Sequence, residues 1–217
     1  HGHGRSFGLR SRVLMRWLPG IKDCGIWEAL GRASSVERPL ALITDVGNDL
    51  LYGVRPEVLL AWVGECLERL GGQGAAVTIA TLPLETIRRM SAARYHATRA
   101  VFFPGGGPAW GDMRRMAEEV DAGLRRLAEE HDAQVITPRG RWYGFDPIHV
   151  RRRQRPAVWS EILSAWPDVE VVVEGQSVLR GIPMWRLPPA ERDLWGRTRV
   201  AAQPVWRTGE GSTIWLY

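Results

Sequence analysis

Residues 41–49 read ALITDVGND, an apolar run that ends in a glycine and two polar residues. Two further runs resemble it, at residues 75–80 (AAVTIA) and 133–137 (AQVIT). Short apolar runs bounded by turn residues are typical of strands that are buried on both faces, as in parallel sheets. The sequence therefore predicts a mostly parallel sheet in which the polar loops after the three strands share one edge.

The segments between these runs repeat apolar residues at helical spacing. In the first segment, which Pro56 opens, the repeat consists of Leu59, Val63, Cys66, Leu67 and Leu70. In the second segment it consists of Met113, Met116, Val120, Leu124 and Leu127. Residues 100–103 (AVFF) are compatible with a further strand or with part of a lid. Strands that alternate with helices of this length predict an α/β fold with right-handed crossovers.

The C-terminal part of the chain has a different texture. A closing helix is predicted over residues 151–166. Beyond it, short strands are predicted at residues 169–173, 199–201 and 213–217. We therefore predict a main α/β domain over residues 1–166 and a β-rich extension, residues 167–217, packed on the same domain.

Composition narrows the class of protein. The 217 residues, 45% hydrophobic, contain no run near the roughly 20 apolar residues of a membrane helix and no visible signal peptide. A soluble protein is expected, with the cytoplasm favoured and export left open. The net charge of +5 resides almost wholly on arginines that stand beside glutamates, which favours solvated helix faces over nucleic-acid binding. Cys24 and Cys66 are too few for a disulfide framework, so buried free thiols are expected.

Residues that can perform acid–base chemistry follow two of the predicted strands. Asp146 precedes His149 by three positions on a turn, where its carboxylate can orient the imidazole and stabilise its charged form. The alternative is a surface turn with a solvated histidine. Asn48 follows the first strand, and its amide can donate to a developing oxyanion. The alternative there is an ordinary turn asparagine.

A candidate nucleophile lies near the start of the chain. In residues 4–8 (GRSFG), glycines stand on both sides of Ser6. They allow a sharp backbone turn that exposes the Ser6 hydroxyl. A serine hydroxyl needs a base such as His149 to remove its proton during attack. The alternative is a loop serine without a catalytic role.

Together these residues resemble the SGNH (GDSL-like) hydrolases, a family whose four blocks supply serine, glycine, asparagine and histidine in that order. Ser6, Gly25, Asn48 and His149 occur here in the same order, and Asp146 with His149 matches the family's D-x-x-H block outright. The resemblance covers roughly the predicted main domain. It implies a three-layer, flavodoxin-like α/β/α fold and hydrolysis of a carboxylic ester without a cofactor.

The resemblance also implies a role for each residue. Ser6 would attack the ester, His149 would carry its proton, and Asp146 would orient His149. The implied oxyanion hole consists of three donors: the Ser6 N–H, the Gly25 N–H and the Asn48 amide. Gly20 competes with Gly25 for the glycine block.

Two features of the chain depart from the family pattern. Arg5 stands where the family has an aspartate, and in the asparagine block Gly47 is adjacent to Asn48 rather than one residue removed. The family also has a strand that leads into its serine, whereas five residues precede Ser6. Either that strand lies outside this sequence or the nucleophile is another residue.

Trp142 and Tyr143 immediately precede the Asp146–His149 loop and are predicted to line the substrate pocket, with core packing as the alternative. The pattern does not distinguish acetylated carbohydrate, short-chain acyl, lipid and thioester substrates. Two rival functions stay open. One is a non-catalytic binding module in which Arg5 has spoiled the nucleophile block. The other is a metal-dependent hydrolase with ligands from His1, His3, Asp45, Asp49 and His149.

Overall fold

A computed structural model of the protein describes most of the chain. The described residues are 6–13, 16–33, 39–103, 106–145, 147, 149–166, 187–207 and 213–217. The chain divides into two compact units. Unit 1 comprises His1–Glu37 and Gln176–Tyr217, and unit 2 comprises Arg38–Gly175. The division separates residues 1–37 from the rest of the predicted 1–166 domain.

The regular elements of the described residues are named in chain order. The strands are β1 (Ser11–Val13), β2 (Arg16–Leu18), β3 (Leu40–Ile43), β4 (Ala76–Ala80), β5 (Gln134–Ile136), β6 (Glu191–Leu194), β7 (Arg197–Val200), β8 (Trp206–Arg207) and β9 (Thr213–Ile214). The α-helices are α1 (Ile26–Arg32), α2 (Gly47–Leu51), α3 (Pro56–Gly72), α4 (Leu84–Arg89), α5 (Ala92–Phe102), α6 (Trp110–Glu130) and α7 (Arg155–Leu163). Short 3₁₀ helices span Ile21–Asp23 and Gly140–Trp142.

Unit 2 is built on a parallel sheet with the order β3-β4-β5. Leu40 pairs with Ala76 and Thr78 pairs with Gln134, so the three apolar runs predicted as strands lie side by side in one direction. Helices α2 and α3 connect β3 to β4, and α4, α5 and α6 connect β4 to β5. The prediction of a mixed α/β fold with a parallel sheet is confirmed, as are the two amphipathic helices, α3 and α6.

Helices of unit 2 pack closely on the sheet and on each other. Helix α3 contacts both β4 and α6, and a Cβ at Gly123 of α6 would come 2.3 Å from the Leu60 side chain of α3. The absence of a side chain at Gly123 therefore allows these two helices to approach. Helix α7 packs Val158 and Ile162 against Ile136 of β5, and these side chains form part of a hydrophobic core cluster.

Unit 1 joins the two ends of the chain. Its main sheet is antiparallel in the order β1-β2-β6-β7, with Trp17 of β2 opposite Asp193 of β6. Strands β8 and β9 form a separate hairpin. Ile26 and Ala29 of α1 pack against Tyr217 at the end of the chain. The strands predicted at residues 199–201 and 213–217 correspond to β7 and β9, and the strand predicted at 169–173 lies outside the described residues.

One expectation from the sequence differs from the structure. Residues 100–102 are helical and end α5, so they do not form a further strand. The reason lies upstream, because the Ser91 hydroxyl caps the helix by accepting a hydrogen bond from the Arg94 N–H at 3.3 Å. The first described strand, β1, follows Ser6 rather than leading into it. No described helix is long and apolar enough to cross a bilayer.

Candidate functional site

An apolar pocket opens at the carboxyl edge of the parallel sheet in unit 2. The three loops that leave the sheet all reach it: Thr44 follows β3, Thr81 follows β4 and Pro138 follows β5. Its cavity volume is about 150 Å³. Carboxyl ends of parallel strands meet at one edge, which is where open α/β sheets bind ligands. The predicted convergence of the three loops is therefore confirmed.

Three of the predicted site residues line this pocket. Asn48 is the second residue of the short helix α2, and its backbone N–H donates to the Asp45 carbonyl at 3.1 Å. Trp142 and Tyr143 belong to the loop after β5. Trp142 is 3% exposed and also packs against Val158, so pocket lining and core packing coincide in this side chain.

The loop that carries His149 is closed by backbone contacts. Tyr143 and Val150 form an antiparallel bridge, and the Arg151 N–H donates to the Trp142 carbonyl at 2.9 Å. Pro147 and Val150 line the pocket, while the His149 side chain between them along the chain is exposed. The loop thus brings His149 next to pocket residues. Asp146 lies outside the described residues.

Contacts from α5 hold the same loop. The Arg94 guanidinium donates to the Phe145 carbonyl at 2.6 Å and also to the Gly144 carbonyl. It lies over the exposed Phe145 ring, 5.2 Å from the ring centroid. Arg94 therefore fastens the tip of the loop to the helix that forms another wall of the pocket.

Two carboxylates hold the loops after β4 and β5 by accepting hydrogen bonds from backbone N–H groups of these loops. Asp121 of α6 is 5% exposed and accepts hydrogen bonds from the Leu82 N–H at 3.2 Å and from Arg125 Nε at 2.9 Å. Glu85 accepts from the Gly140 N–H at 2.9 Å. Arg125 therefore has a structural role, although its position in the sequence is typical of a solvated helix face.

A small group of titratable side chains lies at the pocket. Asp45 follows β3 with a left-handed backbone, φ 59°, a conformation that aspartate tolerates better than most residues. Asp45 is an exposed residue, and partial desolvation of its carboxyl at the pocket raises its pKa, which the positive charge of His149 lowers in part. Burial and the neighbouring Asp45 charge raise the pKa of Tyr143 to about 12, so its hydroxyl keeps its proton at neutral pH. Sequence reasoning considered Asp45 only as a metal ligand.

The raised pKa of Asp45 makes a testable prediction about stability. Its ordinary pKa is 3.8 and the folded value is higher, so the folded state binds the proton more tightly than the unfolded state. Ionisation therefore opposes folding, and the stability contributed by the protonated form is lost as the pH rises from 3.8 through the folded pKa. We expect Asp45→Asn to raise the free energy of unfolding more at about pH 7 than at about pH 4, measured by urea denaturation.

The control for this prediction is Asp132→Asn. Asp132, like Asp45, is exposed and has a left-handed backbone, φ 51°, so its replacement measures the effect of asparagine in that conformation alone. A gain from Asp45→Asn that is equal at both pH values would contradict the prediction.

Ser6 and Gly25 belong to unit 1, whereas Asn48 and His149 belong to unit 2. Ser6 is 3% exposed, and its Oγ accepts a hydrogen bond from the Leu9 N–H at 2.8 Å. The Ser6 carbonyl accepts from the Ile21 N–H at 3.0 Å, which fastens this segment to the 3₁₀ helix before α1.

The two glycines considered for the oxyanion hole differ in their surroundings. A Cβ at Gly20 would come 2.7 Å from the Gly8 backbone carbonyl carbon, so Gly20 lies against the segment that contains Ser6. Gly25 precedes α1, and a Cβ there would meet the Tyr217 ring at an ordinary 3.5 Å. Only Gly20 is required to be glycine by its packing.

Sequence reasoning missed the contribution of α5 and the start of α6. Tyr95, Thr98 and Arg99 line the pocket from α5, and Trp110 and Met113 line it from α6. No signal in the sequence points to α5, because its last turn is compatible with a strand or a lid and its arginines stand among many others.

The alternative hypothesis of a metal-dependent hydrolase needs a cluster of ligands. Among the described residues, no group of three His, Cys, Asp or Glu side chains could hold a metal ion. His1 and His3, which that hypothesis also needs, lie outside the described residues.

Comparison with protein-family models finds no match for this chain, and comparison with curated proteins finds none either.

Proposed function

We propose that the protein is a serine esterase of the SGNH type, which hydrolyses a carboxylic ester through an acyl-serine intermediate. The observation that carries this proposal is that Asn48, Trp142 and Tyr143 line one apolar pocket, beside the loop that holds His149. Pockets of this kind, largely apolar with a few convergent polar groups, suit the acyl or alkyl part of an ester. The proposal includes the finer fold assignment, a three-layer flavodoxin-like arrangement around the parallel sheet.

In the proposed reaction, His149 accepts the Ser6 hydroxyl proton while the Ser6 Oγ attacks the ester carbonyl carbon. The tetrahedral intermediate collapses as the bond to the leaving oxygen breaks, and the imidazolium gives its proton to the departing alcohol. Water then attacks the acyl-serine with the same base, releasing the acid and restoring Ser6. Asp146 orients His149 and stabilises its charged form throughout.

The oxyanion of the tetrahedral intermediate needs preorganised donors. The Asn48 amide, the Ser6 N–H and the Gly25 N–H have this role in the proposal, with Gly20 as the alternative glycine. The contact between Gly20 and the Gly8 backbone supports the alternative, because it puts Gly20 beside the Ser6 segment.

A second candidate function is a binding module without hydrolytic activity. The observation that favours it is the state of Ser6, which is buried and already accepts a hydrogen bond from the Leu9 N–H. Such a module would use the same pocket to hold a small apolar ligand and would need no nucleophile.

Covalent labelling distinguishes the two functions. We expect a fluorophosphonate probe to add one phosphonyl group to the 217-residue protein, and peptide mass spectrometry to locate the adduct on Ser6. Hydrolysis of p-nitrophenyl acetate and butyrate should be lost in proportion to labelling. Labelling at another serine would overturn the assignment of Ser6, and an unlabelled, inactive protein would support the binding module.

A further inference from the structure

Arg99 is the only cationic side chain among the described residues that line the pocket, and Asp45 is the only anionic one. The Arg99 Nε and Nη1 atoms are buried, and neither has a hydrogen-bond partner among the described residues. Buried donors of a charged group are costly to leave unpaired. The hydroxyl of the adjacent Thr98, which is 7% exposed and also lines the pocket, is likewise buried without a partner.

The surroundings hold the Arg99 guanidinium in place. Its central carbon lies over the Tyr95 ring, 5.9 Å from the ring centroid. On another side is Gly107, where a Cβ would come 3.1 Å from Arg99 Nη1 and 2.7 Å from the Leu51 carbonyl oxygen. The Tyr95 hydroxyl donates to the Pro108 carbonyl at 2.8 Å, which fastens this segment over the helix. The position of the cation is therefore set by the protein, and two of its donors have no hydrogen-bond partner among the described residues.

We propose that the pocket is a binding site for a small monocarboxylate, whose carboxylate accepts hydrogen bonds from Arg99 and whose carbon skeleton contacts the apolar walls. A planar guanidinium matches the geometry of a carboxylate. A single cation with Asp45 in the same pocket favours one negative charge over the two of a phosphate. The inference concerns binding and holds whether or not the proposed ester hydrolysis takes place.

The size of the cavity limits the ligand. A cavity of about 150 Å³ lined by apolar side chains accommodates a molecule the size of benzene. Tyr95, Trp110 and Met113 supply apolar surface from α5 and α6. Hexanoate combines a carboxylate with a short apolar chain and is therefore a suitable probe.

A titration at neutral pH followed by saturation-transfer NMR tests the proposal on the 217-residue protein and on its Ser6→Ala variant. We expect sodium hexanoate to bind both proteins equally and at least about tenfold more tightly than 1-hexanol, because hexanol lacks the charged acceptor. Inorganic phosphate is the third ligand. Binding of phosphate as tight as that of hexanoate would overturn the proposal, as would equal binding of hexanol and hexanoate.

Variants of Arg99 show whether this side chain is responsible. Arg99→Gln should weaken hexanoate binding about tenfold to a hundredfold and leave hexanol binding unchanged. Arg99→Lys keeps the positive charge but lacks the planar guanidinium. This variant should retain part of the preference for hexanoate over hexanol. Arg126→Gln, at an exposed position of α6, is the matched control and should bind hexanoate normally. Thermal unfolding establishes that each variant is folded, and hexanoate preference that survives in folded Arg99→Gln contradicts the proposal.

Discussion

Replacing Ser6 by alanine is expected to reduce the hydrolysis of p-nitrophenyl esters by a factor of about 10⁴ or more, because the acyl-enzyme can no longer form. The steady-state rate constant kcat is the quantity to measure. Ser6 Oγ accepts a hydrogen bond from the Leu9 N–H, and the loss of one such bond typically costs about 1 kcal/mol. The thermal unfolding midpoint should therefore change by only a few degrees.

The matched control for Ser6 is Ser160→Ala. Ser160 is an exposed serine on α7, and its replacement should leave kcat and labelling by fluorophosphonate unchanged. If Ser6→Ala retains full activity, another residue is the nucleophile. If the unmodified protein hydrolyses neither p-nitrophenyl acetate nor p-nitrophenyl butyrate, the proposed esterase function fails. Carboxylate binding through Arg99 can still be observed in that case.

Replacing Asn48 by alanine is expected to lower kcat by roughly 10²–10³ with little change in KM, since the amide would donate mainly to the charge that develops in the transition state. Asn48→Asp should lower kcat at least as much. It replaces the amide donor with a carboxylate, whose negative charge repels the developing oxyanion. Asn48→Ala adds no charge to the pocket, so binding of hexanoate by this variant should persist.

Gln73→Ala is the control for the loss of an amide. Gln73 is exposed at the end of α3, away from the residues that line the pocket, and its replacement should not alter kcat. A large rise in KM with unchanged kcat in Asn48→Ala would instead indicate that Asn48 binds the ground state of the substrate, which contradicts its role as an oxyanion donor.

Local patterns predicted the framework of unit 2 well. The apolar run that begins at residue 41 became β3, and the helical repeat opened by Pro56 became α3, because burial of a strand or of one helix face leaves a periodic trace in the sequence. The same logic indicated that polar residues after each strand would meet, and Asn48 lies at that edge. Asp146 and Ser6 are predicted from short motifs alone.

Helix α5 illustrates where local patterns mislead. Its last residues, 100–102, form an apolar triplet that is compatible with a strand, but the Ser91 cap and the preceding alanines and arginines continue the helix through it. As a result Arg99, which gives the pocket its only cation among the described lining residues, carried no signal in a chain rich in arginine. A charged residue is recognisable as a binding group only when its burial and its missing partners are known.

The sequence by itself determined the order and type of the main elements, since hydrophobic periodicity is a property of neighbouring residues. It also determined which polar residues end each strand of the parallel sheet. Only the tertiary structure decided that Trp17 pairs with Asp193, joining the two ends of the chain, and that Arg99 lies beside Gly107 at the pocket. These contacts join segments that are far apart in the sequence. Their proximity depends on the path of the whole chain and on the absence of a side chain at Gly107, and neither produces a periodic pattern of residues.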